Sequence, residues 1–495
     1  MRRLFLRSFA IAFVAFAVLF GTEFFLEWAR AGYPPWGEMS WADANNGKLA
    51  DILSPMARAY NNVLAMLLAM AGFAIPLTAN MHSPKLIEFF LKVTINRIVL
   101  VYVATGAANV LFVDFMIGPH FAPTIAIGIA VFGAILGWAL VLPYFFYILR
   151  FIDPSRMIIQ LRDAATALVG RCADRGHDPD AGQRELITRV GQLGTMLVKA
   201  LDRNDREVAA ECAWTFKQLL DDYDKHKSRM PKEWFRVDRA DFVGFSDDAL
   251  DMMSDNRTFY EMKCLLQLEL GFLRALKGAD DTISVISDAT RVIAIRAQER
   301  HDEQALRLCV RFFNNYLREA IKARHLRAVY DVFHQYRKFA RDIVDRPELL
   351  REIGKHFVYY AQMARMQGML FAPQLVLFDL GYVTRRAYER ASPAAADLLR
   401  EVLALPHRTG GDLHKMAVKA KLILGGFFES TKHPDEAALV RANLSDLERA
   451  DVQRARDELL AADRSFFEVT NRQLNLEYLP EERREPLERF CASML

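Results

Sequence analysis

The sequence predicts an all-α protein: a four-span transmembrane helical region followed by a large cytoplasmic α-helical domain, solenoid-like or an irregular bundle. Three observations lead there. Of 64 Lys+Arg and 61 Asp+Glu in 495 residues, residues 1–150 hold only 10 and 7, leaving 54 of each sign in the rest. The same first third contains four apolar stretches of about 20 residues or more, the length that crosses a bilayer. From residue 155 onward apolar residues recur at helical spacing, and no segment alternates convincingly as a strand.

The expected spans are residues 4–28, 59–80, 98–118 and 124–149, within a membrane region of residues 1–154. For the first, a cleaved signal sequence competes, because Arg2, Arg3 and Arg7 precede the apolar run; Glu23 and Glu27 lie between that run and the small-residue site at Ala29–Ala31. Lys and Arg in the short flanks set orientation. They cluster at the N-terminus, between the second and third spans (Lys85, Lys92, Arg97) and after the fourth (Arg150, Arg156, Arg162), and are missing from "PHFAP". Both termini are therefore expected on the cytoplasmic side.

Ahead of the third span, Ser83 and Pro84 read as a helix start, and no Gly or Pro follows until Gly106. Pro84, Lys85, Glu88, Lys92 and Arg97 then belong to a helix too long for the hydrocarbon core. It is either an interfacial elbow or a lever coupling the cytoplasmic part to the membrane. In the fourth span Gly133 and Gly137 form GxxxG, and Ala126, Ala130 and Ala134 repeat at the same spacing. Small residues let helix backbones approach, so this face reads as a packing surface, within one chain or between chains in a homo-oligomer. Glu23, Asp114 and His120 fall toward the outer face as a polar cluster, either solvated or cation-responsive.

"SPKLIEFFLKVTINRIVL" (Ser83–Leu100), with "AIPLTANM" before it and "YFFYILRFIDPSRM" after the fourth span, resembles a family of uncharacterised bacterial predicted membrane proteins, the domain-of-unknown-function family numbered twenty-two fifty-four. Ser83, Pro84, Lys85, Phe89, Asn96 and Arg97 carry the likeness, which covers roughly residues 55–160. It implies a multi-pass protein of the bacterial inner membrane with a cytoplasmic tail, and implies no activity. The tail signature that members usually carry is not reproduced in "RALKGADDTISVI" (Arg274–Ile286).

The remaining chain reads as a first helical unit (155–230), an irregular joint (231–256) and a second helical unit (257–495). The joint region also reads as a binding loop or a membrane-touching loop. In "DEQALRLCVRFFNNYLREAIKA" and "HLRAVYDVFHQYRKFARDIV" the apolar stripe is clearest, and Arg324 and His325 alone separate the two helices. Further helices are expected over 183–201, 205–225, 258–277, 282–299, 347–368, 373–391, 394–405, 411–428 and 434–475, with no strict repeat period. Residues 304–341 carry nine cations against two acids; Arg318, Lys322, Arg324, Arg327, Arg337, Lys338 and Arg341 are candidates for a membrane-lipid or partner patch, or form a solvated face.

Balanced charge in this region argues against nucleic acid. Phosphate-loop, nucleophile-elbow, zinc and dinucleotide motifs are missing, and the five cysteines are scattered, so no catalytic residue, metal ligand or cofactor is expected. The reading is a non-enzymatic scaffold or sensor that binds a cytoplasmic protein partner. The alternative is an oligomeric ion channel lined by the third or fourth span and gated by the cytoplasmic domain.

Overall fold

A computed structural model describes residues 2–30, 47–81, 94–117, 123–174, 178–409, 412–465, 472 and 475–495. The chain divides into two units, Met1–Gln160 and Leu161–Leu495. Among the described residues it is all-helical apart from one two-residue antiparallel pair, β1 (Arg408–Thr409) and β2 (Asp412–Leu413).

In the first unit α1 (Arg2–Arg30), α2 (Gly47–Met81), α3 (Thr94–Met116) and α4 (Thr124–Ile152) pack against one another. Their core is Leu67, Val103, Val110 and Val113 with the small residues Ala107, Ala126, Ala130 and Ala134. Tyr60 fits between two glycines, and a Cβ at Gly106 or Gly137 would collide with its ring. Small residues thus face inward. Large apolar ones face outward: Phe73 is 79% exposed, Phe115 89% and Phe132 70%. That is the inverse of a water-soluble bundle. Among the described residues, Ile95–Phe115 and Thr124–Tyr147 are long and apolar enough to cross a membrane. The stretches expected as first and second spans are helical, as α1 and α2, but among the described residues only the third and fourth meet that criterion.

The second unit contains most of α5 (Pro154–Ala173), followed by a ladder of helix hairpins. One layer holds α6 (Pro179–Asp202), α9 (Phe259–Ala275), α11 (Glu303–Lys322), α13 (Pro347–Met366) and α15 (Ala395–Ala404). The other holds α7 (Arg206–Lys227), α10 (Asp280–Glu299), α12 (Leu326–Asp342), α14 (Phe371–Glu389) and α16 (Lys415–Ser430). Within each layer every helix packs on the next of that layer. Equivalent helices recur at regular spacing: α9, α11 and α13 begin 44 residues apart. A repeat period therefore exists that the sequence does not display. It lies in the turns rather than in a shared motif.

Those turns follow one rule. A residue with positive φ (Asn204, 57°; His301, 59°; Arg324, 51°; Ala391, 49°) ends each helix. The next residue returns its N–H to a carbonyl five positions earlier: Asp205 to Ala200 (2.8 Å), Asp302 to Ala297 (2.9 Å), His325 to Ala320 (3.0 Å) and Ser392 to Ala387 (2.8 Å). This is the Schellman closure. In three of these turns the same residue then caps the following helix, Asp205 through Val208 N, Asp302 through Ala305 N and His325 through Ala328 N. One side chain ends a helix and starts the next, which keeps the hairpins short.

Residues 231–256 lie within the second unit. Gln183 donates to the carbonyls of Trp234 (3.1 Å) and Arg236 (2.8 Å), and the fully buried Trp234 indole donates to Tyr223 Oη at 3.1 Å. The segment also forms α8 (Asp247–Asp255), capped by Ser246. The expected helix 434–475 is broken into α17 (Pro434–Asn443) and α18 (Arg449–Leu460), where the leucine-led turn 444–448 interrupts it. A last helix, α19 (Arg484–Ala492), packs its Phe490 and Leu487 on Gly425 and Gly426 of α16.

Candidate functional site

α9, α11 and α13, three neighbours of one layer, line a groove of about 640 Å³ together with Phe245. Its polar lining comes chiefly from α11, a helix with one face apolar (Leu306, Val310, Phe313, Leu317) and buried. The opposite turn of the same helix therefore presents Arg311, Asn314, Asn315 and Arg318 outward. Arg318 bonds Tyr360 of α13. Asn315 bonds Glu269 of α9, whose carboxyl burial pushes above its ordinary range against that bond. Asn314 and the Tyr336 hydroxyl meet His356 Nδ1 at 3.2 Å each, and burial holds that imidazole below its usual value. Arg311 is exposed and has no ion-pair or hydrogen-bond partner among the described residues. Tyr359, 57% exposed, supplies an aromatic wall. The groove thus offers one unpaired guanidinium, a second held by a tyrosine, two amides and aromatic faces. It suits an acidic segment with apolar side chains.

The cations singled out from the sequence do not share one surface. Arg327 pairs with Asp281 at 2.5 Å, Lys322 with Glu319 at 2.8 Å and Lys338 with Asp288 at 3.8 Å. Arg341 bonds its neighbour Asp342 at 2.6 Å, while Arg324 is exposed in its positive-φ turn. Arg337 is half-buried over the Tyr382 ring, 3.4 Å from Asp379. Arg318 alone of the seven lines the groove.

In the first unit Pro84, Lys85, Glu88, Lys92 and His120 lie outside the described residues. Arg97 borders an apolar groove of about 670 Å³ between α1, α3 and α4. Gly133 faces that groove, with its carbonyl accepting from Tyr102 Oη at 2.8 Å, and Gly137 is filled by Tyr60. Ala126, Ala130 and Ala134 are buried inside the unit. Glu23 accepts from Asn109 at 2.9 Å, not from Asp114. Glu27 accepts from Ile125 N at 2.5 Å and so caps α4.

Two buried charge clusters escaped the sequence reading. Asp224, Glu261 and Asp302 bring carboxylate oxygens within 4.8 Å of one another, an arrangement that could hold a cation. Lys227 already sits there, its ammonium 2.5 Å from Glu261 and 2.7 Å from Asp302. Burial works to lower the lysine's pKa, yet the two carboxylates outweigh it and hold it raised. The second cluster surrounds Asp379, wholly buried on α14. Arg472 grips both its oxygens, at 2.5 and 2.8 Å, and stacks over Tyr330. An aspartate inside the apolar run "LVLFDLGYV" was the visible clue, because a buried carboxylate requires a partner.

All five cysteines are free and buried, and burial pushes the thiols of Cys212, Cys264 and Cys309 up, away from reactive thiolate. Comparison with protein-family models, curated proteins and solved structures gives no match.

Proposed function

We propose that the chain is a multi-pass protein of the bacterial inner membrane, with α1 to α4 spanning, both termini cytoplasmic and membrane lipid around the first unit. Its helical-hairpin unit is a non-enzymatic docking platform for an acidic segment of a cytoplasmic protein. The likeness of residues 55–160 to the uncharacterised membrane family belongs to this reading. The outward-facing apolar surface of the first unit supports the membrane part. The groove across α9, α11 and α13 supports the docking part, and the observation that carries it is Arg311, an exposed guanidinium without a partner among the described residues, beside Arg318.

Photo-crosslinking from position 359 in intact cells tests it. A discrete adduct, acidic at the crosslinked peptide and lost in Arg311→Glu/Arg318→Glu, is expected. An adduct unchanged by the charge reversal removes the proposal.

The channel reading keeps one specific support, the open apolar groove facing Gly133, where a helix of a second copy has room to seat. Single-particle mass in native lipid particles decides it: a ring of four or more chains favours a pore, and a monomer or dimer rejects it. Gly133→Leu is the clean variant for assembly, because Gly137→Leu strikes Tyr60 within the same chain.

A further inference from the structure

A cavity of about 300 Å³ opens between α12, α14, α16 and the C-terminal segment. Four arginines line it: Arg337 from α12, Arg385 from α14, and Arg472 and Arg483 from the C-terminal segment. Their acidic partners are few. Asp379 is consumed by Arg472 and lies 3.4 Å from Arg337. Glu389 lies 3.5 Å from Arg483 and already pairs with Arg386 at 2.5 Å. Arg385 has neither a hydrogen bond nor an ion pair among the described residues; the face of Tyr382 lies 5.8 Å from its guanidinium, and Glu389 acts on it from longer range. The Arg472 side chain is 1% exposed, and its Nε has no acceptor among the described residues.

Four guanidiniums against two carboxylates, one of them shared with Arg386, leave an excess of at least two positive charges in a half-enclosed space. The remaining titratable group points the same way. Arg337 donates to His334 Nδ1 at 3.2 Å, so the neutral imidazole carries its proton on Nε2 as one more donor. Burial and then Arg472, Arg337, Lys338 and Arg291 push His334 down to about 2, so it stays neutral. Burial and Arg483 draw even Arg385 down to about 10, yet it remains charged at neutral pH. A lysine or histidine can shed its proton to relieve such crowding; a guanidinium does not. The rest of the wall is apolar or aromatic, with Phe378, Tyr382, Ile423, Leu424 and Tyr478.

From the four converging arginines and the enclosed, aromatic-walled volume, we propose that this cavity binds a small organic dianion, a phosphate monoester or a dicarboxylate with a compact apolar body. Bound there, the anion supplies the two missing charges, and Arg385 and Arg483 are its principal contacts. The site tethers the C-terminal segment to α12 and α14, so occupancy is coupled to the packing of that segment. This gives the platform a small-molecule input independent of the groove.

The test uses the full-length protein in lipid nanodiscs, titrated with phenyl phosphate and, separately, with phthalate at matched ionic strength, by calorimetry and melting temperature. The proposal expects saturable binding and a raised melting temperature with at least one dianion, and the stronger of the two identifies the phosphate or the carboxylate source. Arg385→Gln should weaken binding at least tenfold while the ligand-free protein melts no lower than wild type. Arg311→Glu, in the separate groove, should bind as wild type. The proposal is overturned if neither dianion shifts wild type more than Arg385→Gln. It is overturned equally if Arg311→Glu loses binding as strongly, which would show general attraction of anions.

Discussion

The two buried charge clusters of the helical unit invite comparison, because they solve the same problem with different chemistry. Around Lys227 four acids (Asp221, Asp224, Glu261, Asp302) face three bases (Lys217, Lys227, Arg300). The excess charge there is negative, and a carboxyl can accept a proton. Burial and Glu261 raise Asp224 to about 7, which lets it take up a proton near neutral pH and relieve part of the surplus from within. Around Asp379 the excess is positive and resides on guanidiniums, which cannot lose a proton at neutral pH. The first cluster is closed and self-balanced, with its lysine seated against two carboxylates. The second is open and unbalanced. The difference teaches that an acid-rich interior can correct itself, whereas an arginine-rich one needs an anion from outside.

The comparison breaks most readily at Lys227. Lys227→Met leaves Glu261 and Asp302 facing each other and should cost about 3–5 kcal/mol, as removal of one partner from a buried ion pair does. Urea unfolding followed by far-UV circular dichroism measures it, and a loss under 1 kcal/mol would mean the cluster is not a structural clasp.

pH sharpens the contrast, since the clusters respond with opposite sign. His334 is depressed in the folded state, so the unfolded chain alone binds its proton below about pH 6.5. Stability near α12 is then lost as pH falls from 6.5 toward 5, at up to about 1.4 kcal/mol per unit. Asp224 is raised, so the folded state alone holds its proton between the ordinary carboxylate range and about 7. Stability near α7 is therefore gained as pH falls through that window. Amide exchange of the two helices, corrected for intrinsic rates, should move in opposite directions; parallel movement contradicts the assignment.

A smaller effect is expected at Arg385. Arg385→Gln relieves like charge and should stabilise the ligand-free protein by about 1 kcal/mol after solvent screening. Smaller still, Arg311→Glu should change stability by less than about 0.5 kcal/mol, because an exposed side chain without a partner contributes little to folding. Its effect belongs to partner binding alone, and a marked loss of stability would show that it serves the fold.

Much of the helical unit was legible because α11 and α12 carry unbroken apolar stripes, and the Arg324–His325 connection is the turn observed. The period was hidden because "ALDRND", "AQERHD", "AIKARH" and "AYERAS" share a backbone geometry and an alanine rather than a motif. Residues 231–256 looked like a joint because they lack helical spacing, yet Trp234 and Phe242 bury them in the core. The basic run 304–341 could not be resolved from sequence, since helix faces and neighbouring hairpins assign Arg327, Lys338 and Arg337 to different acids. Arg385, Arg472 and Arg483 come together only through the tertiary fold, 93 residues separating Arg472 from Asp379.

The most direct test places Lys227→Met and Arg385→Gln side by side in the full-length protein without added anion. The readout is amide exchange in α7 (Arg206–Lys227) for the first and α14 (Phe371–Glu389) for the second. The account predicts that α7 loosens on losing its lysine while α14 tightens, or holds, on losing its arginine. If both helices loosen, the arginine cluster is a structural clasp like the other, and its excess charge does not mark a binding site.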